Sequence, residues 1–380
     1  MMARLGDIAT IITKGTTPTS IGFNFQNDGI NFVKIESVDE NGSFICEKFD
    51  HISDECHEKL KRSQLQENDI LFSIAGAIGR TAIVTKDILP ANTNQALAII
   101  RIPQGVINYS FLLYILQSSV VLDQAEKKKQ GVAQLNLSLK DIGDFIIPDI
   151  PLEEQQRIVD SLDKVSNLIS LRKQQLSKLD ELVKSRFIEM FGNPISNDKG
   201  WQHQAMDKVA PSSAGLGDNS ETVWLLNLDM VEAQTGRILD YLYVEKEQVG
   251  TSTCAFDEGN VLYSKLRPYL NKVVVPTKKG YCTTELVPLR PNGKLNRQFL
   301  AYLLRSEAFV SFINEKVAGA KMPRVSMSVF RDFECILPPI VLQNEFATFV
   351  EQIDKSKFEI QKSLEKLETL KKALMQKYFG

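Results

Sequence analysis

The amino-acid sequence predicts an α+β protein written twice: two similar mixed α/β globular domains separated by two long antiparallel coiled-coil helices, related by a pseudo-twofold internal repeat. Three observations carry this expectation. Segments of the first half recur in the second at nearly constant spacing. Each half closes on a long run without proline or glycine, in which apolar residues fall at alternating steps of four and three. The remainder mixes short β-branched runs, bounded by Gly, Asn and Pro, with shorter helical patterns.

The repeat comes first because it decides the domain organisation. Pro103–Ser118 (PQGVINYSFLLYILQS) aligns without a gap on Pro291–Ser306 (PNGKLNRQFLAYLLRS), 188 residues on, with eight of 16 positions identical. Ordinary residue frequencies give roughly one match over such a window. FVKIESVD (Phe32–Asp39) resembles LLNLDMVE (Leu225–Glu232) at a spacing of 193, and ENDILFSIAGAIGRTAIV (Glu67–Val84) resembles EGNVLYSKLRPYLNKVVV (Glu258–Val275) at 191. LSLKDIGDFIIP (Leu137–Pro148) follows MSVFRDFECILP (Met327–Pro338) at 190, and Gln155–Gly192 follows Gln343–Gly380 at 188. Small shifts between blocks are what loop insertions produce. The expected divisions are a first globular domain at 1–151, a first long helix at 152–192, a second globular domain at 193–340 and a second long helix at 341–380.

Within each globular domain, DILFSI, TAIVT, NVLYSK and NKVVV read as strands. FLLYILQS and FLAYLLRS are helical in period, and each follows an Asn able to cap the start. The strand topology stays open at this stage. In the first tail the seam is Ile158, Leu162, Val165, Ile169, Arg172, Leu176, Leu179, Val183, Arg186 and Met190. In the second it is Phe346, Val350, Ile353, Lys357, Ile360, Leu364, Leu367, Lys371, Leu374 and Tyr378. A sustained 3.5-residue period is a coiled-coil signature, and roughly 38 helical residues span on the order of 55 Å. A narrow apolar stripe is marginal alone. The expected partner is the other tail, antiparallel because a pseudo-twofold axis across two equivalent helices requires it, with the globular domains at opposite ends of a rod. The seam charges Arg172, Arg186, Lys357 and Lys371 either fix the register or snorkel at an exposed edge.

Composition bounds the class. The 380 residues are 43% hydrophobic and 24% charged, ordinary for globular proteins and enough for two or three domains. No apolar run spans a bilayer and MMARLGDIAT lacks a signal core, which points to a cytoplasmic protein without membrane association. The five cysteines are scattered with no CxxC pair, as in a reducing compartment. Net charge is −2, and by domain it is near −4 in the first globular part and +1 in the second. That is no strong phosphate-binding footprint.

Catalytic motifs are missing. There is no GxxxxGK[ST] loop, and AGAIGR (Ala75–Arg80) lacks GxGxxG spacing. His51, Cys56 and His57 lack a fourth ligand for a metal, and Asp149 after Pro148 has no ExK partner to make a nuclease motif. The halves share no carboxylate–His or Ser–His set. The chain reads as non-catalytic, with no cofactor of its own.

At this point a resemblance is specific. RFIEMFGNP (Arg186–Pro194), IIPDIPLEEQQRIV (Ile146–Val159), GVAQLNLSLKDI (Gly131–Ile142), LYSKLRPYLNKV (Leu262–Val273) and LGDIATIITKGTTP (Leu5–Pro18) occur in an order that resembles the specificity subunit of type I restriction–modification enzymes, over the whole chain. The resemblance implies that each globular part is a target-recognition domain reading half of a bipartite site in double-stranded DNA. It implies that the helices set the gap and dock two methyltransferase subunits, which restriction/translocase subunits then join. S-adenosylmethionine would belong to the methyltransferase subunits, and ATP and Mg to the translocase. The rival is a coiled-coil scaffold whose globular ends bind other proteins.

Base readout needs Arg, Lys, Asn or Gln on loops that reach the major groove. The candidates in the first domain are Lys14, Thr16, Thr17, Arg80, Asn94, Gln95, Gln134 and Asn136. Those in the second are Lys265, Arg267, Tyr269, Asn271, Lys321 and Arg324, with the second domain's basic loops the stronger set.

Overall fold

A computed structural model describes residues 2–128, 136–317 and 323–380. The chain divides into two compact units, Met1–Leu171 with Ser363–Gly380, and Arg172–Lys362.

The first unit contains β1 (Met2–Arg4), α1 (Leu5–Ile8), β2 (Ile11–Lys14), β3 (Ile30–Val33), β4 (Asp50–Ile52), α2 (Asp54–Lys59), β5 (Ile70–Ser73), β6 (Thr81–Ile83), β7 (Ala91–Thr93), β8 (Leu97–Arg101), α3 (Tyr109–Leu116), α4 (Ser119–Lys128), α5 (Leu139–Gly143), β9 (Ile146–Pro148) and the start of α6 (Leu152–Phe191). Strands pair in the orders β2-β8-β5-β6, β4-β3-β7 and β1-β9, and β3 lies parallel to β7. The four-residue run Ile70–Ser73 is buried on both faces, which is why it reads as a continuous apolar stretch instead of alternating.

The second unit follows with β10 (Gln202–Ala205), α7 (Met206–Val209), β11 (Thr222–Leu226), β12 (Leu242–Glu245), β13 (Thr253–Phe256), β14 (Val261–Ser264), β15 (Val273–Val274), β16 (Gly280–Thr283), β17 (Leu286–Leu289), α8 (Arg297–Arg305), α9 (Glu307–Glu315), α10 (Met327–Arg331), β18 (Glu334–Leu337) and α11 (Ile340–Phe379). Its sheets are β12-β11-β16-β13, β15-β14-β17 and β10-β18, with β11 parallel to β16. Each unit thus repeats the other strand for strand, with two local changes. The β2–β8 ladder of the first is a single bridge, Ser212 to Leu289, in the second, and the β13–β16 ladder of the second is a single bridge, Gln64 to Asn92, in the first.

The expected caps form. The Asn108 side chain accepts the Phe111 N–H at the start of α3, and Asn296 accepts those of Gln298 and Phe299 at the start of α8. Ser138 and Asp141 close a reciprocal capping box on α5.

Both tails are single 40-residue helices, and each contributes to both units. In the first unit Ile158, Val159 and Leu162 share a core with Phe379, Leu374 and Tyr378. Phe379 packs 5.5 Å from Phe111, while Lys371 lies 5.9 Å over Tyr114, whose hydroxyl donates to Asp163. Numbers fall along α11 as they rise along α6, so the two run antiparallel there. The same holds in the second unit, where Phe187 and Phe191 each sit 5.5 Å from Phe346, and Asp180 pairs with Lys357. The seam residues Ile158, Leu162, Val165, Val183, Phe346, Val350 and Leu364 are buried, and Ile169, Leu176, Leu179, Ile353, Ile360, Leu367 and Leu374 are half-buried. Lys357 bonds across to the other helix, whereas Arg172 and Arg186 bond Gln175 and Glu189 on their own helix.

Among the described residues, no helix is long and apolar enough to cross a membrane, and no group of three or more His, Cys, Asp or Glu could hold a metal.

Candidate nucleic-acid interface

In each unit a turn after a central strand is laced to the segment that precedes a short helix. In the first unit the turn following β5 contains Ala75–Arg80. Leu137 N–H donates to the Ile74 carbonyl at 3.0 Å, and Ala75 bridges Asn136. In the second the turn following β14 contains Leu266–Asn271. Val325 N–H donates to the Lys265 carbonyl at 2.9 Å, and Leu266 bridges Arg324. The sequence alignment pairs Ala75 with Leu266 and Arg80 with Asn271, so the two clasps are one construction. Each gathers candidates that the sequence scattered.

The second clasp is braced from both sides. Arg267 N–H donates to the Pro323 carbonyl at 2.8 Å, and Lys265 N–H to the Glu285 carbonyl at 3.0 Å. On the other flank, Gln234 donates its backbone N–H to Leu270 (2.9 Å) and its side-chain amide to the Tyr269 carbonyl (3.0 Å). That bracing turn needs glycine at Gly236, where φ is +68° and a Cβ would meet the Val273 carbonyl oxygen at 1.7 Å. Held this way, Arg267 and Asn271 stay in the left-handed region at φ 48° and 51°. Arginine there costs on the order of 1–2 kcal/mol, whereas asparagine adopts this region readily.

The candidates then separate by what their side chains touch. Arg267 and Tyr269 are exposed, Tyr269 by 46%. Arg324 pairs with Glu285 at 2.7 Å while its own side chain stays 57% exposed. Lys265 is half-buried beside Ser212, Thr284 and Arg331 in a shallow cleft. Asn271 is turned inward, buried, with its amide donating to the Arg305 carbonyl at 2.9 Å. Arg80, at the matching place in the first unit, is also turned inward: its guanidinium donates to the Ile35 (3.2 Å) and Val38 (2.9 Å) carbonyls.

A second cluster forms in the first unit. Lys14 ends β2, and the chain runs on beside Thr93–Gln95: Thr16 N–H donates to the Thr93 carbonyl at 3.2 Å, and the Thr17 hydroxyl donates to Gln95 Oε1. Gly15 makes this approach possible, since a Cβ there would lie 1.9 Å from the Thr93 oxygen. Asn94 accepts the Ala96 N–H and shapes the turn, and Lys14, Gln95 and Asn136 are exposed. Gln134 and Lys321 lie outside the described residues.

A repeated ion pair sits at the other end of the same strands, before β5 in the first unit and before β14 in the second. Arg101 grips the buried Asp69 through two contacts of 2.7 Å, and that hydrogen bond raises the Arg101 pKa. In the second unit Arg290 grips Asp257 at 2.6 Å. Burial pushes the Asp257 carboxyl up, but the Leu216 N–H, Arg290 and the Gly259 N–H outweigh it and hold the pKa below the usual range. Near the helices, burial first of all pushes the Tyr114 hydroxyl up to about 12. It therefore acts as a neutral donor to Asp163. Neither the repeated ion pair nor Gln155 and Gln343 was expected from the sequence. Their one signal is that both fall at the same place in the repeat.

Comparison with known proteins bears on what such a surface serves. The family model described as "Type I restriction modification DNA specificity domain" matches residues 1–181 and 219–372. The EcoBI specificity subunit of Escherichia coli is 30% identical over 55% of this chain and 43% of its own length, and the EcoDI subunit of the same organism is 25% identical over 47% and 41%. The chain thus spans under half the length of these relatives. The putative MjaX specificity subunit of Methanocaldococcus jannaschii is 24% identical over 98% of this chain and 90% of its own. Among solved structures, the type I S subunit from M. genitalium aligns over 100% of this chain and 96% of its own, with TM-score 0.58 and 14% identity. A chain solved in work on assembly and conformational transition of the type I R-M system aligns over 100% and 97%, with TM-score 0.58 and 18% identity. These structural likenesses show the fold.

Proposed function

Because the chain belongs to the family of type I restriction modification DNA specificity domains, we propose that it is the non-catalytic subunit that gives such a complex its DNA sequence specificity. Each globular domain reads one half of an asymmetric bipartite site in double-stranded DNA. The long helices set the gap and dock two methyltransferase subunits, and restriction/translocase subunits join that assembly. The chain itself needs no cofactor: S-adenosylmethionine works in the methyltransferase subunits, and ATP and Mg in the translocase, all in the cytoplasm.

The observation that carries this reading is the clasp built twice on one backbone plan with different outward side chains. One frame with two sets of contacts suits two dissimilar half-sites, since groove readout depends on which donors and acceptors the loop presents. In the second unit Arg267 offers the fork that pairs with guanine, and Tyr269 offers a ring and a hydroxyl.

The test is to express the chain with the methyltransferase subunit encoded beside it and map the methylated positions. The expected result is one motif with two unlike halves at a fixed gap. Methylation without sequence dependence, or assembly with partners and no role for DNA, contradicts the proposal and favours the scaffold.

A further inference from the structure

Among the described residues, each unit carries one buried glutamine in the same three-way arrangement. In the first, Gln155 sits in the opening turn of α6, 4% exposed. Its Oε1 accepts the Asn108 N–H at 2.8 Å and its Nε2 donates to the Ile150 carbonyl at 2.8 Å. In the second, Gln343 opens α11, fully buried. Its Oε1 accepts the Asn296 N–H at 2.8 Å, and its Nε2 donates to the carbonyls of Pro338 (2.8 Å) and Lys294 (3.0 Å). Asn108 and Asn296 are the residues that cap α3 and α8. Each also donates its amide to the next residue of the long helix, Gln156 at 2.8 Å or Asn344 at 2.9 Å. One side chain therefore ties together the strand-to-helix connection, the first turn of the long helix and the start of the helix packed under the globular core. Apart from the Tyr114 hydroxyl on Asp163, the packing around this joint in the first unit is largely apolar, and apolar faces slide at little cost, whereas hydrogen bonds are directional.

We propose that Gln155 and Gln343 are positioning residues that fix the angle between each globular domain and the long helix it begins, and that this angle makes the complex strict about the gap between half-sites. The inference rests on the reading that each domain reads one half-site. A tilt of roughly 10° moves an atom on the order of 20 Å from the pivot, the scale of a domain this size, by about 3.5 Å. That is close to the 3.4 Å rise of one base pair. A domain released from this tie accepts a gap one base pair too long or too short.

The experiment uses the full chain assembled with its methyltransferase subunits. Initial methylation rates are measured on duplexes with the cognate gap and with the gap changed by one base pair either way. Q155L and Q343L remove the inner bonds at nearly constant volume. Q156L combined with N344L removes only the exposed outer bonds and leaves folding unthreatened. The expected result is a fall of about fivefold or more in the ratio of cognate-gap to altered-gap rates for Q155L or Q343L, the factor one ordinary hydrogen bond carries. A smaller fall is expected for Q156L with N344L, and discrimination against single-base changes within each half-site stays as in the wild type. An unchanged ratio, or an equal rate loss at every gap, overturns the inference. If Q155L and Q343L fail to fold, an unchanged ratio in the outer-bond variant overturns it. Wild-type complex indifferent to half-site sequence overturns the functional reading itself, whereas wild-type selectivity with unmoved variants overturns the glutamine tie alone.

Discussion

Arg267 stands where the twin unit has a glycine. The alignment places it on Gly76, and both residues occupy the left-handed region, at φ 48° and 70°. The turn demands that conformation. Glycine adopts it freely, and arginine does so at a cost of on the order of 1 kcal/mol. A strained residue kept at an exposed turn tip points to a task for its side chain. Replacing Arg267 with glycine is therefore expected to leave the second unit as stable or raise its stability by about 1 kcal/mol, and to cut methylation of the cognate site at least tenfold, as for a lost bidentate base contact. Thermal melting and methylation rate check this, and a loss of stability with methylation intact would contradict it. Opposite signs are the informative feature, since a merely structural arginine moves both downward. The same scale separates Arg80 and Asn271 from the exposed candidates. Both looked like base readers in the sequence, and both bond carbonyls that hold the turn to its own domain. The strain at Arg267 had a faint trace in the sequence, a glycine in one copy opposite an arginine in the other. The inward turn of Arg80 had none.

The long helices were legible element by element, because a 3.5-residue period and the absence of proline are local properties. What the period does not encode is where each turn packs. The last turns of α6 carry Phe187 and Phe191 into an aromatic cluster with Phe299 and Phe346 in the second unit, and Phe191 lies 4.7 Å from Phe299. A proline at Leu179, upstream of these rings, removes a helical hydrogen bond and costs about 3 kcal/mol or more. We expect it to leave the first unit protected, to loosen the second and to abolish co-purification with the methyltransferase subunits. Hydrogen exchange resolved by unit, with a pull-down, measures this, and normal assembly would count against the role of the helices. The repeated Arg–carboxylate pair teaches a related point. Its arginines, Arg101 and Arg290, align in sequence, but the carboxylate moves from Asp69 to Asp257, while Asn260 stands where Asp69 would. The pair is preserved as a spatial relation and not as a motif.

For the whole molecule, charge sets the expectation. A net charge of −2 gives little of the phosphate neutralisation that supplies most non-specific affinity. The isolated chain is expected to bind duplex DNA no tighter than about micromolar at physiological salt, and to gain affinity when the methyltransferase subunits are added. Fluorescence anisotropy across a salt series checks this, and a nanomolar sequence-specific complex with the chain alone would contradict it.

The sequence by itself determined the duplication, the helical seam, the capped helices and the family, because order, period and composition are read along the chain. Only the tertiary structure decided which half of each long helix belongs to which unit, which polar side chains face inward, that Arg267 sits in a glycine conformation, and that a buried glutamine ties each domain to its helix. These depend on hydrogen bonds and packing between segments far apart in sequence, where the partner of a residue is set by how the chain folds back on itself and leaves no local pattern to read.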